Sequence, residues 1–282
     1  MSNIKVLKYN KNILPQILKF IKKSKMTKRT KNTWIKNNMT SVNVKDGKKE
    51  VIRVEKALLS VGRKLCIDGL KMENAGVTLS KRGVHIGDIN TQTNIPNIYV
   101  VGDASGHISL VNVGELEGRY AVERMFSKKY YPLNYKNICT IMFLQPEVAS
   151  VGINEKTCIE ENIPVKVVKL DYSCIARAIA MRKTEGFFKI IVTDDKKMKI
   201  LGMRAVGEHA SSAIQGVGLL MKMDRNIHEL AEMVHPHPSI IEGIQECVRM
   251  LLNKSIFKAS IFEDKLSCYR RIGEYVEDLQ RL

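Results

Sequence analysis

The sequence has no closely spaced cysteines. Its six cysteines are spread over 282 residues, and the closest two, Cys158 and Cys174, are sixteen positions apart. This spacing excludes a CxxC or CxxxxC redox pair within the chain, and it excludes a zinc-binding cysteine doublet. We therefore predict reduced cysteines in an intracellular protein, and no metal site.

Long apolar runs are also missing. The hydrophobic residues, 44% of the chain, occur in short runs, and none approaches the roughly 18 uninterrupted apolar residues that a membrane-spanning helix requires. The basic start of the chain is not followed by an apolar core and a small-residue cleavage site, so it does not match a secretory signal. The composition predicts a soluble globular protein that does not enter a membrane.

Acidic residues are absent from the first 45 positions. This segment contains twelve Lys and Arg residues, so the remaining chain has 34 basic and 29 acidic residues, and most of the formal net charge of +17 is local. Two interpretations stay open for the basic segment: a phosphate-binding or targeting sequence, or an ordinary solvated surface. Because aromatic residues that stack on bases are scarce there, we predict no nucleic-acid partner.

Apolar periodicity and turn residues predict an α/β arrangement followed by an α+β arrangement, with a boundary candidate at residues 130–136. In the first part we predict strands at 4–7, 56–62 and 98–101, a hairpin over 42–53 that turns at Asp46-Gly47, and helices at 13–21 and 110–126. In the second part we predict strands at 140–144, 165–170, 187–193 and 198–206, the last two forming a hairpin, and helices at 210–223, 227–233 and 239–252.

The first candidate site is the sequence Tyr99-Val-Val-Gly-Asp103. The apolar run 98–101 is typical of a central parallel strand covered on both faces. In open α/β sheets ligands lie beyond the carboxyl ends of the strands, where Asp103 could accept hydrogen bonds from sugar-like hydroxyl groups. Gly102 would permit close approach of the backbone. From these residues alone, ordinary turn chemistry explains the Gly-Asp pair equally well.

The second candidate site is His235-Pro-His-Pro-Ser-Ile-Ile-Glu242. Ser239 followed three residues later by Glu242 matches a capping box at a helix start, which explains both residues without any chemistry. It does not explain His237, which two prolines hold close to a carboxylate. A carboxylate that orients an imidazole and stabilises its charged form is the arrangement of a general base.

Together these motifs resemble the pyridine nucleotide-disulfide oxidoreductases, and the doubled histidine resembles the dihydrolipoamide dehydrogenase branch. The resemblance covers nearly the whole chain and corresponds to the C-terminal part of such a protein. It rests on four fragments that occur in the family's order: Ala57–Arg63, Thr93–Asp103, Leu110-Val111 with Gly118, and His235–Glu242.

The resemblance implies a role for each matching residue. Asp103, next to Gly102, would bind the ribitol of FAD, and the backbone at Leu110 and Val111 would approach the flavin. His237 would be the acid/base that deprotonates a dithiol, with Glu242 orienting it, and it would serve the flavin and cysteines of the opposite subunit of a homodimer.

The resemblance also implies an architecture and partners. The fold would be the remnant of doubly wound FAD- and NAD-binding domains followed by an α+β dimerisation domain, divided as 1–62 (NAD), 63–134 (FAD) and 135–282 (dimerisation). The physiological partner would be the lipoyl domain of a 2-oxoacid dehydrogenase complex. The location would be intracellular: a mitochondrion or plastid, or the cytoplasm of a bacterium.

Some family features are missing from the sequence. It contains neither GxGxxG motif nor the CxxxxC pair of the family. Lys8 stands where the family usually has the acidic residue that binds the adenosine ribose, and Leu65-Cys66 replaces a Pro-Asn. These differences argue against NAD binding and against activity of the chain alone. Two alternatives stay open: a non-catalytic dimerisation module, and another disulfide reductase or transhydrogenase of the family.

Overall fold

The computed structural model describes residues 30–35, 38–45, 48–54, 66–67, 69–80, 91–128, 131–257, 262 and 264–279. The chain separates into two compact units, Met1–Leu133 and Asn134–Leu282. The division into three domains at residues 62 and 134 stays a prediction. The strand predictions at 4–7 and 56–62, the helix prediction at 13–21, and the differences noted at Lys8 and Leu65 lie outside the described residues.

A three-stranded antiparallel sheet belongs to the first unit. It consists of β1 (Thr30–Ile35), β2 (Asn38–Lys45) and β3 (Lys48–Val54), in the order β1-β2-β3. Lys45 pairs with Lys48, so the predicted hairpin is confirmed, while its turn residues lie outside the described part. Strand β1 was not predicted, because its polar sequence lacks the alternation on which strand prediction depends.

The predicted central strand at 98–101 is wrong. The segment is extended, and among the described residues it pairs with those just before it, through an antiparallel bridge between Gln92 and Tyr99. The Val100 amide donates to the carbonyl oxygen of Thr91 at 2.8 Å. Ile98, Tyr99 and Val100 are half-buried. An apolar run makes a central strand only where strands flank it on both sides, and the described residues of this unit provide none.

The predicted helix at 110–126 is confirmed as α1 (Val111–Phe126). Its buried residues are Val113, Glu117, Tyr120 and Ala121, a spacing that places them on one face of a helix. Between the extended segment and α1, residues Gly102–Ser105 form one turn of 3₁₀ helix.

The second unit is built on a seven-stranded antiparallel sheet of order β10-β9-β6-β7-β8-β5-β4. The strands are β4 (Thr140–Met142), β5 (Val148–Gly152), β6 (Val165–Asp171), β7 (Phe187–Thr193), β8 (Ile200–Val206), β9 (Leu266–Ile272) and β10 (Tyr275–Asp278). The four predicted strands are confirmed as β4, β6, β7 and β8, and β7 and β8 pair as the predicted hairpin. The small residues of β5 and the charged residues of β9 and β10 explain why those strands were missed.

The described residues of this unit also form five α-helices: α2 (Glu155–Glu160), α3 (Ala176–Ala180), α4 (Ala210–Lys222), α5 (His228–Glu232) and α6 (Glu242–Leu251). The first two, of six and five residues, were not predicted. The three later helices are confirmed as α4, α5 and α6, although α6 begins three residues later than predicted. This mixture of helices with an antiparallel sheet is the predicted α+β class.

The core lies on both faces of β6 and β7. Leu170, Phe188 and Ile190 pack with α4 and α6 on one face, and Val167 and Ile191 pack with Cys158 of α2 on the other. Because both faces are covered, neighbouring residues such as Ile190 and Ile191 are equally buried. The core therefore fixes α6, whose first residue is Glu242.

Candidate functional site

The loop between α5 and α6 carries the histidine motif. The amide of Ser239 donates to Glu242 Oε2 at 2.8 Å, whereas Ser239 Oγ is buried and has no hydrogen-bond partner among the described residues. The predicted capping box is therefore wrong in one half, since the carboxylate reaches back to the backbone but the hydroxyl caps nothing. The helix begins at Glu242, with Ile241 as its N-cap.

His237 and Glu242 are paired. His237 Nδ1 lies 2.7 Å from Glu242 Oε1. The imidazole side chain is 72% exposed and the carboxylate side chain 23% exposed. No described residue hydrogen-bonds His237 Nε2, so the ring is held from one side by the carboxylate and open to a reactant on the other.

The neighbouring histidine is held differently. His235 Nδ1 lies 3.2 Å from the carbonyl oxygen of Met233, and no described carboxylate oxygen bonds to its ring. Among the described contacts of this loop, His237 is the histidine that bonds directly to a carboxylate. The structure thus distinguishes two histidines that the sequence places two residues apart.

The surroundings of Glu242 lower its pKa. Partial burial acts in the opposite direction, but it is outweighed by the hydrogen bonds from the Ser239 amide and from His237 and by the positive charges of His237 and His235. Glu242 is therefore a carboxylate over the pH range in which a histidine titrates.

This lowered pKa gives a testable pH dependence. A carboxyl whose pKa is lower in the folded state stabilises the fold above its unfolded value, and that stabilisation is lost as the pH falls through the folded value. We expect the difference in free energy of unfolding between the parent chain and Glu242→Gln to be largest near pH 7, as measured by urea denaturation. It should shrink below the ordinary pKa of 4.5, and a difference that grows on acidification would contradict the assigned ionisation.

In the first unit, the Gly102–Asp103 motif forms an exposed turn. Gly102 has a φ of +67°, a conformation that favours glycine. The carboxylate of Asp103 is exposed and has no hydrogen-bond partner among the described residues. It is therefore free to accept hydrogen bonds from a polyol.

A buried glutamate that sequence reasoning missed holds this turn. The amide of Gly102 donates to Glu117 Oε2 at 2.6 Å, and Glu117 is 0% exposed. The available signal was its position on the apolar face of α1, four residues after Val113, where a charged residue needs a buried partner. The contact connects the motif to the helix that follows it.

The N-terminus of α1 lies close to the same turn. A Cβ atom on Gly114 would lie 3.1 Å from the Cα atom of Gly102, a tight contact that a side chain could make only if the turn shifted by a few tenths of an ångström. Leu110 is the N-cap, no side chain caps the first turn, and Val111 is 84% exposed. Uncapped amides at a helix N-terminus suit an anionic or electron-rich group.

The buried cysteines are poorly suited to redox chemistry. All six are free, and Cys158, Cys247 and Cys268 are buried. Burial raises the pKa of the Cys268 thiol to about 12 and that of Cys247 well above its ordinary value. These thiols are protonated at neutral pH and are poor nucleophiles.

Two kinds of feature are absent from the described part of the chain. No helix there combines the length and the apolar character that a membrane crossing requires. No group of three or more His, Cys, Asp or Glu side chains is placed there to hold a metal ion.

Solved structures share the fold. The superposition on LpdA from Mycobacterium tuberculosis has a TM-score of 0.72 and covers 84% of this chain and 52% of that one, at 22% sequence identity. The superposition on the HOCl-induced flavoprotein disulfide reductase RclA from Escherichia coli has a TM-score of 0.69 and covers 78% and 50%, at 23% identity. At this identity the likeness establishes the architecture.

Curated relatives are similar to the chain in sequence. Dihydrolipoyl dehydrogenase from Chlamydia muridarum is 35% identical over 185 residues, 66% of this chain and 39% of the relative. The enzyme of the same name from Bacillus subtilis is 31% identical over 215 residues, 75% of this chain and 44% of the relative. The chain thus spans less than half the length of these relatives.

Two family matches cover most of the chain. Residues 3–118 match the family described as pyridine nucleotide-disulphide oxidoreductase. Residues 138–248 match the dimerisation domain of that family. With the shared fold and the relatives above, these matches show that the chain belongs to the pyridine nucleotide-disulphide oxidoreductase family.

Proposed function

We propose that the chain is part of a dihydrolipoyl dehydrogenase-type flavoprotein that oxidises dihydrolipoamide with FAD and NAD. The supporting observation is the pair of His237 and Glu242, whose 2.7 Å contact leaves the exposed Nε2 atom open. An acid/base group that a substrate can reach is what oxidation of a dithiol needs, because the thiolate is the reactive form. The dihydrolipoyl dehydrogenase relatives support this choice of substrate.

His237 performs the proton transfer in this proposal. Its Nε2 atom accepts the proton of a substrate thiol, and Glu242 stabilises the imidazolium that forms. Because the Ser239 amide holds the second carboxylate oxygen, Glu242 is fixed by two hydrogen bonds and keeps the ring oriented. The proton returns to solvent or to product from the same nitrogen.

The flavin side of the reaction is assigned to the first unit. The exposed carboxylate of Asp103 would bind the ribitol hydroxyl groups, with Gly102 permitting close approach. The uncapped start of α1 at Leu110 and Val111 would face the electron-rich edge of the flavin. When bound, FAD would carry electrons between a disulfide/dithiol couple and a nicotinamide.

Partners follow from the same assignment. A homodimer is proposed, because the matched dimerisation domain carries His237 with its ring directed to solvent. The lipoyl domain of a 2-oxoacid dehydrogenase complex is the proposed substrate carrier. NAD is the proposed electron acceptor of the whole enzyme, and no described residue of this chain is assigned to it.

Reconstitution tests this function. The chain contains no CxxxxC pair, so alone it should not oxidise dihydrolipoamide and should bind FAD weakly or not at all. Mixed with a separately produced N-terminal half of a dihydrolipoyl dehydrogenase, it should restore dihydrolipoamide-dependent NADH formation. Turnover by the isolated chain would contradict the proposal, and a preference for another disulfide would keep the family chemistry but remove dihydrolipoamide as the substrate.

A further inference from the structure

A cavity of about 280 Å³ lies in the second unit, beside the histidine loop. Its walls come from α3, which contributes Arg177, from the start of α4, which contributes His209, Ser212 and Ala213, and from residues 238–241 of the loop. One wall is therefore the loop that connects His237 to Glu242. The proposed function assigns no role to this cavity.

The polar groups that line the cavity suit an anion. They are the guanidinium of Arg177, the imidazole of His209 and the hydroxyl groups of Ser212 and Ser239, and the described lining contains no acidic residue. Arg177 forms no ion pair with any other described residue. Guanidinium groups and hydroxyl groups bind carboxylates and phosphates through charge-assisted hydrogen bonds.

Ser239 provides an independent indication of a ligand. Its Oγ atom is buried and has no hydrogen-bond partner in the described part of the chain. Buried hydroxyl groups in folded proteins are nearly always paired, because an unpaired one costs the free energy of its lost hydration. Since Ser239 lines the cavity, an acceptor bound there would supply the missing partner.

The other walls select among anions. The buried residues Ala213 and Ile240 contribute apolar surface. At about 280 Å³, the cavity lies just below the roughly 300–1,000 Å³ of pockets for drug-sized ligands, so it suits a smaller molecule. An anion with a short apolar chain fills it better than inorganic phosphate, which would leave the apolar wall in contact with water.

We propose that this cavity is a binding site for a small aliphatic carboxylate. The carboxylate binds Arg177, Ser212 and Ser239, and the aliphatic chain packs against Ala213 and Ile240. Because the Ser239 amide holds Glu242 while its hydroxyl faces the ligand, occupancy also restrains the loop that carries His237. Binding itself does not depend on the proposed function, whereas an effect on catalysis does.

Ligand titration of the full chain tests binding. Hexanoate serves as the probe, followed by isothermal calorimetry and by the NMR shifts of the Ser212 and Ser239 amides. Hexylammonium keeps the apolar chain and reverses the charge, and phosphate keeps the charge without the chain. We expect saturable hexanoate binding, with hexylammonium and phosphate each weaker by on the order of ten-fold or more. Absence of saturable hexanoate binding, or equal binding of hexylammonium, would overturn the site.

Matched variants locate the bound anion. Arg177→Gln should weaken hexanoate binding by on the order of ten-fold or more, because it removes a charged donor. Arg182→Gln, an exposed arginine outside the cavity, should leave binding unchanged. Equal effects of the two substitutions would show a non-specific charge effect and contradict the proposal.

Ser239→Ala distinguishes ligand binding by the hydroxyl group from a purely structural role. Without ligand, removal of an unpaired buried hydroxyl should leave the melting temperature unchanged or raise it. With hexanoate present, the ligand-induced rise in melting temperature should be smaller than in the parent chain. A loss of stability without ligand would show that the hydroxyl is already paired, and an unchanged ligand effect would remove Ser239 from the site.

The consequence for the loop is measured separately from activity. Hydrogen exchange at residues 235–242 should slow when hexanoate binds to the full chain. If reconstitution with an N-terminal half gives no turnover, binding and exchange still decide the cavity proposal. Saturable binding without slower exchange would keep the site and remove the proposed restraint on the loop.

Discussion

Replacement of His237 by Gln is expected to lower dihydrolipoamide oxidation by the reconstituted enzyme by about 10²–10⁴-fold, the usual contribution of a general base. Gln keeps a polar side chain of similar reach but cannot accept a proton near neutral pH. The loss should occur mainly in kcat, because the imidazole acts on the reacting thiol. Steady-state NADH formation measures it.

The control is the neighbouring histidine of the same loop. His235 bonds to the Met233 carbonyl oxygen instead of a carboxylate, so His235→Gln should keep most of the activity. Glu242→Gln should give an intermediate loss and shift the pH profile, because the imidazolium would lose its anionic partner. If the two histidine substitutions had the same effect, His237 would not be the acid/base.

Phe188→Ala is expected to destabilise the second unit by about 3–5 kcal/mol, the usual cost of deleting a large buried aromatic ring. Phe188 is 0% exposed, and its ring centroid lies 5.0 Å from that of Tyr172 in an edge-to-face arrangement. A Cβ atom added to Gly243 would lie 2.8 Å from the Cδ2 atom of Phe188. The ring therefore supports the first turn of α6, next to Glu242.

Urea denaturation measures this loss, and the adjacent residue of the strand provides the control. Phe187 points to the opposite face of β7, is half-buried, and its ring centroid lies 4.9 Å from Lys169 Nζ. Phe187→Ala should cost less than Phe188→Ala, because it removes a half-buried ring and a cation–π contact worth about 0.5–1 kcal/mol. Equal losses at the two positions would contradict the assignment of Phe188 to the core.

Local patterns predicted the elements that depend on near neighbours. Helix α1 and the hairpin of β7 and β8 follow from periodicity and turn residues within about twenty positions. The run 98–101 was mispredicted because its apolar residues indicate only that the segment is extended. Whether strands flank it depends on residues far away in the sequence.

The same distinction applies to the candidate sites. His237 and Glu242 are five residues apart, so a loop between helices brings them together and the sequence pattern was sufficient to pair them. Glu117 is fifteen residues from Gly102, and no local pattern relates a helix residue to that turn. The cavity is even harder to predict from the sequence, because Arg177, His209 and Ser239 come from three separate segments.

By itself the sequence determined the helix and strand periodicities, the absence of a redox cysteine pair within the chain, and the identity of the histidine–carboxylate motif. These features depend on residue type and short spacing. Only the tertiary structure decided which strands are neighbours, that Ser239 leaves its hydroxyl unpaired, and that His237 and the Ser239 amide bind different oxygens of Glu242. Such contacts join residues that are distant along the chain or depend on backbone direction, and packing of the whole unit fixes them.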